Sequence, residues 1–188
     1  MIRPETFPNK WPIIPLSEAV EFLDSRRKPV KASDRVEGAY PYYGANGQQG
    51  TINDYIFDEP LVLLAEDGGH FGIPGRKVAY SISGKTWVNN HAHVLRFNSK
   101  NIKSWVEIYL NYKNVDNFIS GMAQPKLNKA KLNQIPIPIP EVNKLKELNE
   151  NIANAKDIIK KADINLIKKS ELLDNLKSSI LKEELNTN

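Results

Sequence analysis

Apolar residues recur at alternating steps of three and four along the last quarter of the chain. The run starts at Leu145 and ends at Ile180, and ten of its eleven positions are apolar. This spacing over about five heptads is typical of a coiled coil. A helix over residues 141–185 would be about 65 Å long, more than the preceding residues could cover along its length. The pattern therefore predicts a partner helix from a second chain.

We call these eleven positions the helix seam. Its larger aliphatic side chains are the predicted dimerisation residues, namely Leu145, Leu148, Ile152, Ile159, Leu166, Leu173, Leu176 and Ile180. The exception within the seam is Lys169, at a core position of the heptads. Two interpretations stay open. Either Lys169 fixes the register by penalising misaligned pairings, or its stem packs in the seam while its ammonium reaches water.

The preceding residues show mainly strand and turn patterns. Ser17 is a suitable N-cap for a short helix that ends at about Leu23. Closely spaced glycines at positions 44, 47 and 50 indicate a turn-rich stretch. The patterns predict strands over residues 51–57, 61–65, 78–82, 86–88 and 91–97, and a second helix over residues 102–112.

Alternating isoleucine and proline over residues 135–140 mark a boundary. Such a segment cannot be helical and favours an extended conformation, so we expect a semi-rigid connection. The predicted class is α+β: a globular domain over residues 1–140, with a mixed β-sheet and short helices, followed by one long coiled-coil helix over residues 141–188.

Composition and charge narrow the range of possible functions. The 188 residues are 40% hydrophobic and 26% charged, with no cysteine, which excludes disulfides and cysteine-based chemistry. The opening residues resemble no signal peptide, and no stretch approaches the roughly 18 apolar residues of a membrane span. We expect a cytoplasmic protein without a membrane partner. The formal excess of +4 lies in residues 1–140, because residues 141–188 hold nine lysines and nine acids. A basic excess is compatible with phosphate contacts.

Candidate catalytic and metal-binding groups are few. His91 and His93 would share one face of a strand, which is possible metal geometry, but the sequence indicates no third ligand. We therefore predict structural histidines and no metal. Glu66 and Asp67 precede two glycines at the end of a predicted strand, where either an active site or a turn can lie; without a partner in view, the turn is favoured. A phosphate-binding loop ending at Thr86 is rejected, because its first glycine is replaced by Ala79.

A polar, aromatic stretch over residues 40–50 is more informative. Its amide side chains can bond to bases and its tyrosines to sugar or phosphate, although a well-packed turn would look similar. The candidate DNA contacts in this stretch are Tyr42, Tyr43, Asn46, Gln48 and Gln49. The candidate phosphate contacts are Arg76, Lys77, Lys85 and Lys126, with Lys129 and Lys131 close to the last of these.

Together these segments resemble the specificity subunit of type I restriction-modification systems. The resemblance rests on six stretches: Trp11 to Leu16, Pro41 to Gly50, Leu64 to Gly68, Trp87 to Leu95, Gly121 to Pro138, and Leu176 to Leu181. It covers nearly the whole chain, and the combination is far more specific than any single stretch. A usual specificity subunit carries two target recognition domains and two long helices, whereas this chain has one of each, as a half-subunit would.

The resemblance implies a non-catalytic component that binds double-stranded DNA, and the helix seam predicts that it forms a homodimer. It also implies partners: a methyltransferase subunit that brings S-adenosylmethionine, and a restriction subunit that brings magnesium-dependent ATP hydrolysis and DNA cleavage. No cofactor is expected in this chain itself. Two other classes stay open on the residues alone. One is a small hydrolase that uses Asp67, His91 or His93, and the other is a protein-binding scaffold with a coiled-coil tail.

Overall fold

The computed structural model describes residues 11–112, 115–121 and 124–185. Two compact units make up the chain, Met1–Leu145 and Lys146–Asn188. The helices are α1 (Leu16–Ala19), α2 (Lys100–Tyr112), α3 (Lys129–Asn133) and α4 (Val142–Leu185). The strands are β1 (Ile13–Pro15), β2 (Glu21–Phe22), β3 (Tyr40–Gly44), β4 (Gly47–Ile52), β5 (Phe57–Asp58), β6 (Leu61–Ala65), β7 (Ala79–Ile82), β8 (Lys85–Val88), β9 (Ala92–Arg96) and β10 (Pro136–Pro138). The predicted α+β class is confirmed.

The first sheet has the strand order β2-β9-β6-β7 and is antiparallel throughout. Its central strand β6 is fully buried along all five residues, as its uninterrupted apolar sequence predicts. Strand β9 is also buried on both faces from Ala92 to Leu95, so it is not a half-exposed strand with alternating sides. The amide of Asn111 in α2 ties that helix to the edge strand, since its Oδ1 accepts from the backbone N–H groups of Val78 and Ala79.

The second sheet has the order β4-β3-β8-β5, with β3 parallel to β8 and the other pairs antiparallel. The predicted turn-rich stretch is the hairpin of β3 and β4. One apolar cluster draws on both sheets, since Phe57 and Val88 of the second pack with Leu63 and Val94 of the first. The expected single strand over residues 51–57 is wrong, because the chain leaves β4 at Ile52 and pairs again only at Phe57.

A third, two-stranded sheet joins the two ends of the globular unit. Strand β1 pairs antiparallel with β10, in the register Ile14 to Ile137. Prolines fit here because a two-stranded sheet leaves one edge of each strand unpaired. Ile135 and Ile137 are fully buried, so the predicted extended Ile-Pro segment is confirmed as part of the packed structure. The short helix α1 starts at Leu16 and ends at Ala19, earlier than predicted, and Ser17 lies inside it rather than capping it.

Helix α4 is continuous over 44 residues, about 66 Å at 1.5 Å per residue. Its seam residues from Ile159 to Ile180 are largely exposed in the single chain, between 51% for Ile180 and 65% for Leu166. Leu145 differs, because it is 4% exposed and belongs to the globular unit. We therefore correct its assignment: Leu145 is a core residue of its own chain. No helix in the described residues has an apolar stretch long enough to cross a bilayer.

Candidate functional site

The hairpin tip, residues 44–49, contacts two segments that are distant from it in sequence. The Asn46 side chain donates to the carbonyl oxygen of Gly68 at 2.7 Å. The Asn89 side chain donates to Gln49 Oε1 at 3.1 Å. These bonds hold the tip against the end of β6 and against the turn before β9. The hairpin tip is therefore braced from two sides rather than free in solvent.

Two glycines of this tip have different roles. Gly47 has a φ of +114°, a conformation that other residues rarely adopt. Gly44 lies under the Gln49 amide, and a Cβ atom there would stand 2.4 Å from Gln49 Nε2. A side chain at position 44 would therefore displace the end of the Gln49 side chain from the place it has here.

The two carboxylates that follow β6 are held by cations. Arg27 Nη1 lies 2.7 Å from Glu66 Oε2, and Lys126 Nζ lies 3.0 Å from Glu66 Oε1. Lys126 also stands 3.7 Å from Asp67, whose other oxygen bonds to His91 Nδ1. Burial raises the pKa of Glu66, but the bonds from Arg27 and Lys126 outweigh it and hold that pKa below its usual value. The bond to Glu66 in turn raises the pKa of Lys126.

His93 forms the buried part of the same network. Its side chain is 1% exposed, with Nδ1 2.7 Å from Asp24 Oδ2 and Nε2 2.7 Å from the Leu127 carbonyl oxygen. Burial raises the pKa of Asp24, but its bonds to His93 and to the Val94 backbone N–H outweigh this and lower it, so the carboxylate is ionised. The ring thus ties strand β9 to the segment of Asp24 on one side and to that of Leu127 on the other.

We call this network the charge cluster: Asp24, Arg27, Glu66, Asp67, His91, His93 and Lys126. The sequence patterns favoured Glu66 and Asp67 as turn residues. They did not indicate Asp24 or Arg27. His93 is structural, as predicted, since both of its nitrogens bond to the protein. His91 bonds to Asp67 and His93 to Asp24, and His91 lies just before β9, which begins at Ala92. Within the described residues, no group of three or more His, Cys, Asp or Glu side chains could hold a metal ion.

The predicted DNA contacts fall into three groups. Tyr42 is 1% exposed and part of an apolar cluster with Ile52 and Trp87, and its hydroxyl bonds to Val30. It is a core residue, so its ring is not available to DNA in this structure. Tyr43 is half-buried, with its ring centroid 6.1 Å from that of Tyr80.

The second group lies on the surface of the tip. Asn46, Gln48 and Gln49 are exposed, but their side chains also make the bonds that shape the tip. Gln48 Nε2 donates to the Gly50 carbonyl at 3.1 Å, which leaves its Oε1 directed away from that bond. Gln48 is therefore the residue here whose amide is least engaged with other segments.

The third group is cationic. Arg76 and Lys77 are exposed in the connection between β6 and β7, and neither makes an ion pair with a described residue. Lys85 sits over the ring of Tyr55, with Nζ 4.7 Å from its centroid. Lys126 is 47% exposed but already bonded to two carboxylates. Lys129 lies over the Phe22 ring at 5.6 Å, and Lys131 is half-buried.

Comparisons with known proteins agree with this fold. The family model of the type I restriction modification DNA specificity domain matches residues 8–174. A putative type I restriction enzyme specificity subunit of Haemophilus influenzae is 41% identical over 129 residues, which is 69% of this chain and 33% of that protein. The chain thus spans about a third of this curated relative.

Solved structures are similar in fold at low identity. A chain from a study of complex assembly and conformational transition in a type I system superposes with a TM-score of 0.71 at 14% identity, covering 96% of this chain and 47% of that one. The S subunit of a type I system from M. genitalium gives 0.59 at 10% identity, with coverages of 83% and 42%. The HsdS subunit of Thermoanaerobacter tengcongensis gives 0.56 at 14%, with coverages of 84% and 40%.

Proposed function

Because this chain belongs to the family of type I restriction modification DNA specificity domains, we propose that it reads one half of a bipartite DNA site for such a system. The observation that carries the proposal is the family match over residues 8–174, which includes every segment that meets at the hairpin tip. The chain itself performs no chemistry in this proposal. Catalysis belongs to the partner subunits.

The proposed DNA-facing surface combines the exposed amides of the hairpin tip with exposed cations of other segments. Asn46 and Gln48 supply groups that can bond to base edges. Arg76, Lys77 and Lys85 supply positive charge without a carboxylate partner in the described residues, and such cations contribute sequence-independent affinity for phosphates. Gln49 and Lys126 already bond to other residues of the protein. Either side chain could contact DNA only by sharing or losing one of those bonds.

The proposed assembly is a homodimer through the helix seam. From Ile159 to Ile180 the seam exposes five large aliphatic side chains, each more than half exposed in the single chain: Ile159, Leu166, Leu173, Leu176 and Ile180. Burying one Leu or Ile stabilises by roughly 1.5–3 kcal/mol, so their burial favours association strongly. Two copies related by a two-fold axis carry two identical recognition surfaces. A symmetric reader requires a palindrome of two short inverted half-sites around a non-specific spacer.

The proposed partners are a methyltransferase subunit, which binds S-adenosylmethionine, and a restriction subunit, which uses ATP and magnesium. Support comes from the family membership and from the fold similarity to a chain studied in a type I complex. One observation supports the alternative hydrolase function, because the side chains of Asp67 and His91 form a hydrogen-bonded pair. No hydroxyl nucleophile bonds to His91 within the described residues, and the family match favours the specificity role.

Methylome sequencing tests the proposal. Cells that express this chain with its neighbouring methyltransferase gene should carry one methylated bipartite palindrome that is absent from cells lacking the chain. Variants of the hairpin tip should alter or abolish that motif while the methyltransferase stays expressed. An asymmetric, uninterrupted motif would contradict the two-fold arrangement, and a motif that persists without the chain would contradict the specificity role.

A further inference from the structure

His91 is fixed in position, yet its ring is half in solvent. Its backbone N–H donates to Asn89 Oδ1 at 2.8 Å, and its carbonyl accepts from the Glu66 N–H at 2.8 Å. Its Nδ1 bonds to Asp67, and its side chain is 50% exposed. Nε2 has no hydrogen-bond partner among the described residues. A residue held by three bonds, one of them to its ring, with half of its side chain exposed, is arranged for contact with something beyond the chain.

We propose that His91 is a DNA phosphate contact, positioned by Asp67, whose protonated ring adds one positive charge to the DNA-facing surface. This inference rests on the proposed function and deepens it. It assigns a role to a residue that the sequence pattern indicated only as structural. Asp67 acts here as a positioning residue, since its carboxylate orients the ring and stabilises the imidazolium.

The charged groups that face His91 or its neighbours are three acids, Asp24, Glu66 and Asp67, and two cations, Arg27 and Lys126, with the His93 ring between Asp24 and Glu66. Each acid is therefore already paired with a cation or an imidazole of the chain. A proton on His91 adds one positive charge to the charge cluster.

The chemistry of the exposed groups favours phosphate over a base edge. Protonated Nε2 is a donor without acceptor capacity, and so is the Lys126 ammonium, which lies 3.7 Å from the other oxygen of the same Asp67 carboxylate. Two donors that flank one carboxylate suit a ligand made of acceptors, such as the oxygens of a phosphodiester. A contact of this kind fixes the protein on the duplex without reading sequence.

Binding of the full chain to fluorescent mixed-sequence duplex DNA, measured by anisotropy between about pH 5.5 and 8.5, tests the proposal. Wild-type affinity should fall about three- to tenfold as pH rises across that range. His91→Gln should bind at low pH as weakly as wild type does at high pH, with a flat pH profile. Its salt slope at low pH should be smaller by about 0.9, the value for one lost phosphate contact. His91→Lys should restore the low-pH affinity and keep it constant with pH.

Matched controls separate the possible outcomes. His70→Gln removes another histidine, from the connection between β6 and β7, and should keep the wild-type pH profile. If His70→Gln and not His91→Gln flattens the profile, or if His91→Gln behaves as wild type, His91 is not the contact. If wild type shows no salt-dependent binding at all, the proposed DNA function fails together with this inference. If Arg76→Ala and Lys85→Ala weaken binding while His91→Gln does not, only the inference about His91 fails. Melting curves confirm that each variant is folded.

Discussion

His93 Nδ1 lies 2.7 Å from Asp24 Oδ2 inside the globular unit, where the His93 side chain is 1% exposed and that of Asp24 8%. The pair links the turn after β2 to strand β9, and the second ring nitrogen continues to the Leu127 carbonyl. Three segments of the chain therefore depend on one buried imidazole. Removing either partner of the pair leaves the other buried without its hydrogen bond.

Asp24→Asn should lower the free energy of unfolding by about 3 kcal/mol, because it removes a buried carboxylate that bonds to His93 and to the Val94 backbone N–H and lies 3.7 Å from Arg27. Urea denaturation at neutral pH measures the change. Asp58→Asn is the matched control, since Asp58 is exposed on β5 and its side chain makes no hydrogen bond or ion pair within the described residues. A loss for Asp24→Asn no larger than that for Asp58→Asn would show that the bonds of the Asp24 carboxylate do not stabilise the fold.

Stability should decline on acidification. Asp24 and Glu66 both have a pKa lowered by folding, so each folded carboxyl binds its proton less readily than the unfolded one. A lowered folded pKa contributes stability that is full above the unfolded pKa and is lost as pH falls through the folded one. The contribution of these two carboxyls to the unfolding free energy should therefore be level above about pH 5 and fall below about pH 4.5. Glu66→Gln should be less stable at neutral pH and show a shallower acid decline; an equally steep decline would place the titrating groups elsewhere.

The sequence patterns predicted strand β6, which is buried on both faces. They did not predict the long-range contacts of the charge cluster. Residues 61–65 are all apolar, and an apolar run of that length between turn residues is typical of a strand buried on both faces. The charge cluster is different, because Glu66 meets Arg27 across 39 positions and His93 meets Asp24 across 69. No local pattern records such pairings, so the two acids looked like turn residues.

Tyr42 shows the same limit at a single position. In a polar, aromatic stretch this tyrosine looked suited to contact with sugar or phosphate. Sequence does not tell which face of β3 is covered, and the structure places residues 28–35 over that face, with the guanidinium of Arg35 3.8 Å from the Tyr42 ring centroid. The neighbouring amides of the hairpin tip do reach the surface, which the pattern also suggested.

Replacing Ile152 and Ile159 with Asp should convert a homodimer into monomers whose globular unit still folds. A charge at each position would have to be buried without a partner in the coiled coil. Sedimentation at micromolar concentration measures the association state, and circular dichroism the fold. Lys156→Asp with Lys160→Asp is a suitable control, because both lysines are exposed and lie outside the helix seam. Wild type that sediments as a monomer would contradict the dimer.

Lys169→Leu should raise the melting temperature, because a charged side chain at a core heptad position reduces the stability of the paired helices. If Lys169 fixes register, the variant should also form mixed registers, seen as heterogeneous disulfide trapping between single cysteines introduced along α4. The chain contains no native cysteine, so such probes are unambiguous. An unchanged or lowered melting temperature would instead favour a lysine whose stem packs in the seam and whose ammonium reaches water.

Arg76 and Gln48 should respond in different ways to the same DNA assay. Arg76 is an exposed cation without an ion-pair partner in the described residues, so Arg76→Ala should weaken binding to all duplexes alike and reduce the salt slope by about 1. Gln48 has an exposed amide whose oxygen is free to bond to a base edge. Gln48→Ala should therefore weaken the binding free energy on the preferred site by about 1–3 kcal/mol. It should also relax the base preference at one position of each half-site. Selection from a random duplex library measures both effects. In a homodimer, any change in base preference must appear twice, once in each inverted half-site. A change confined to one half-site would mean that the two recognition surfaces are not related by a two-fold axis.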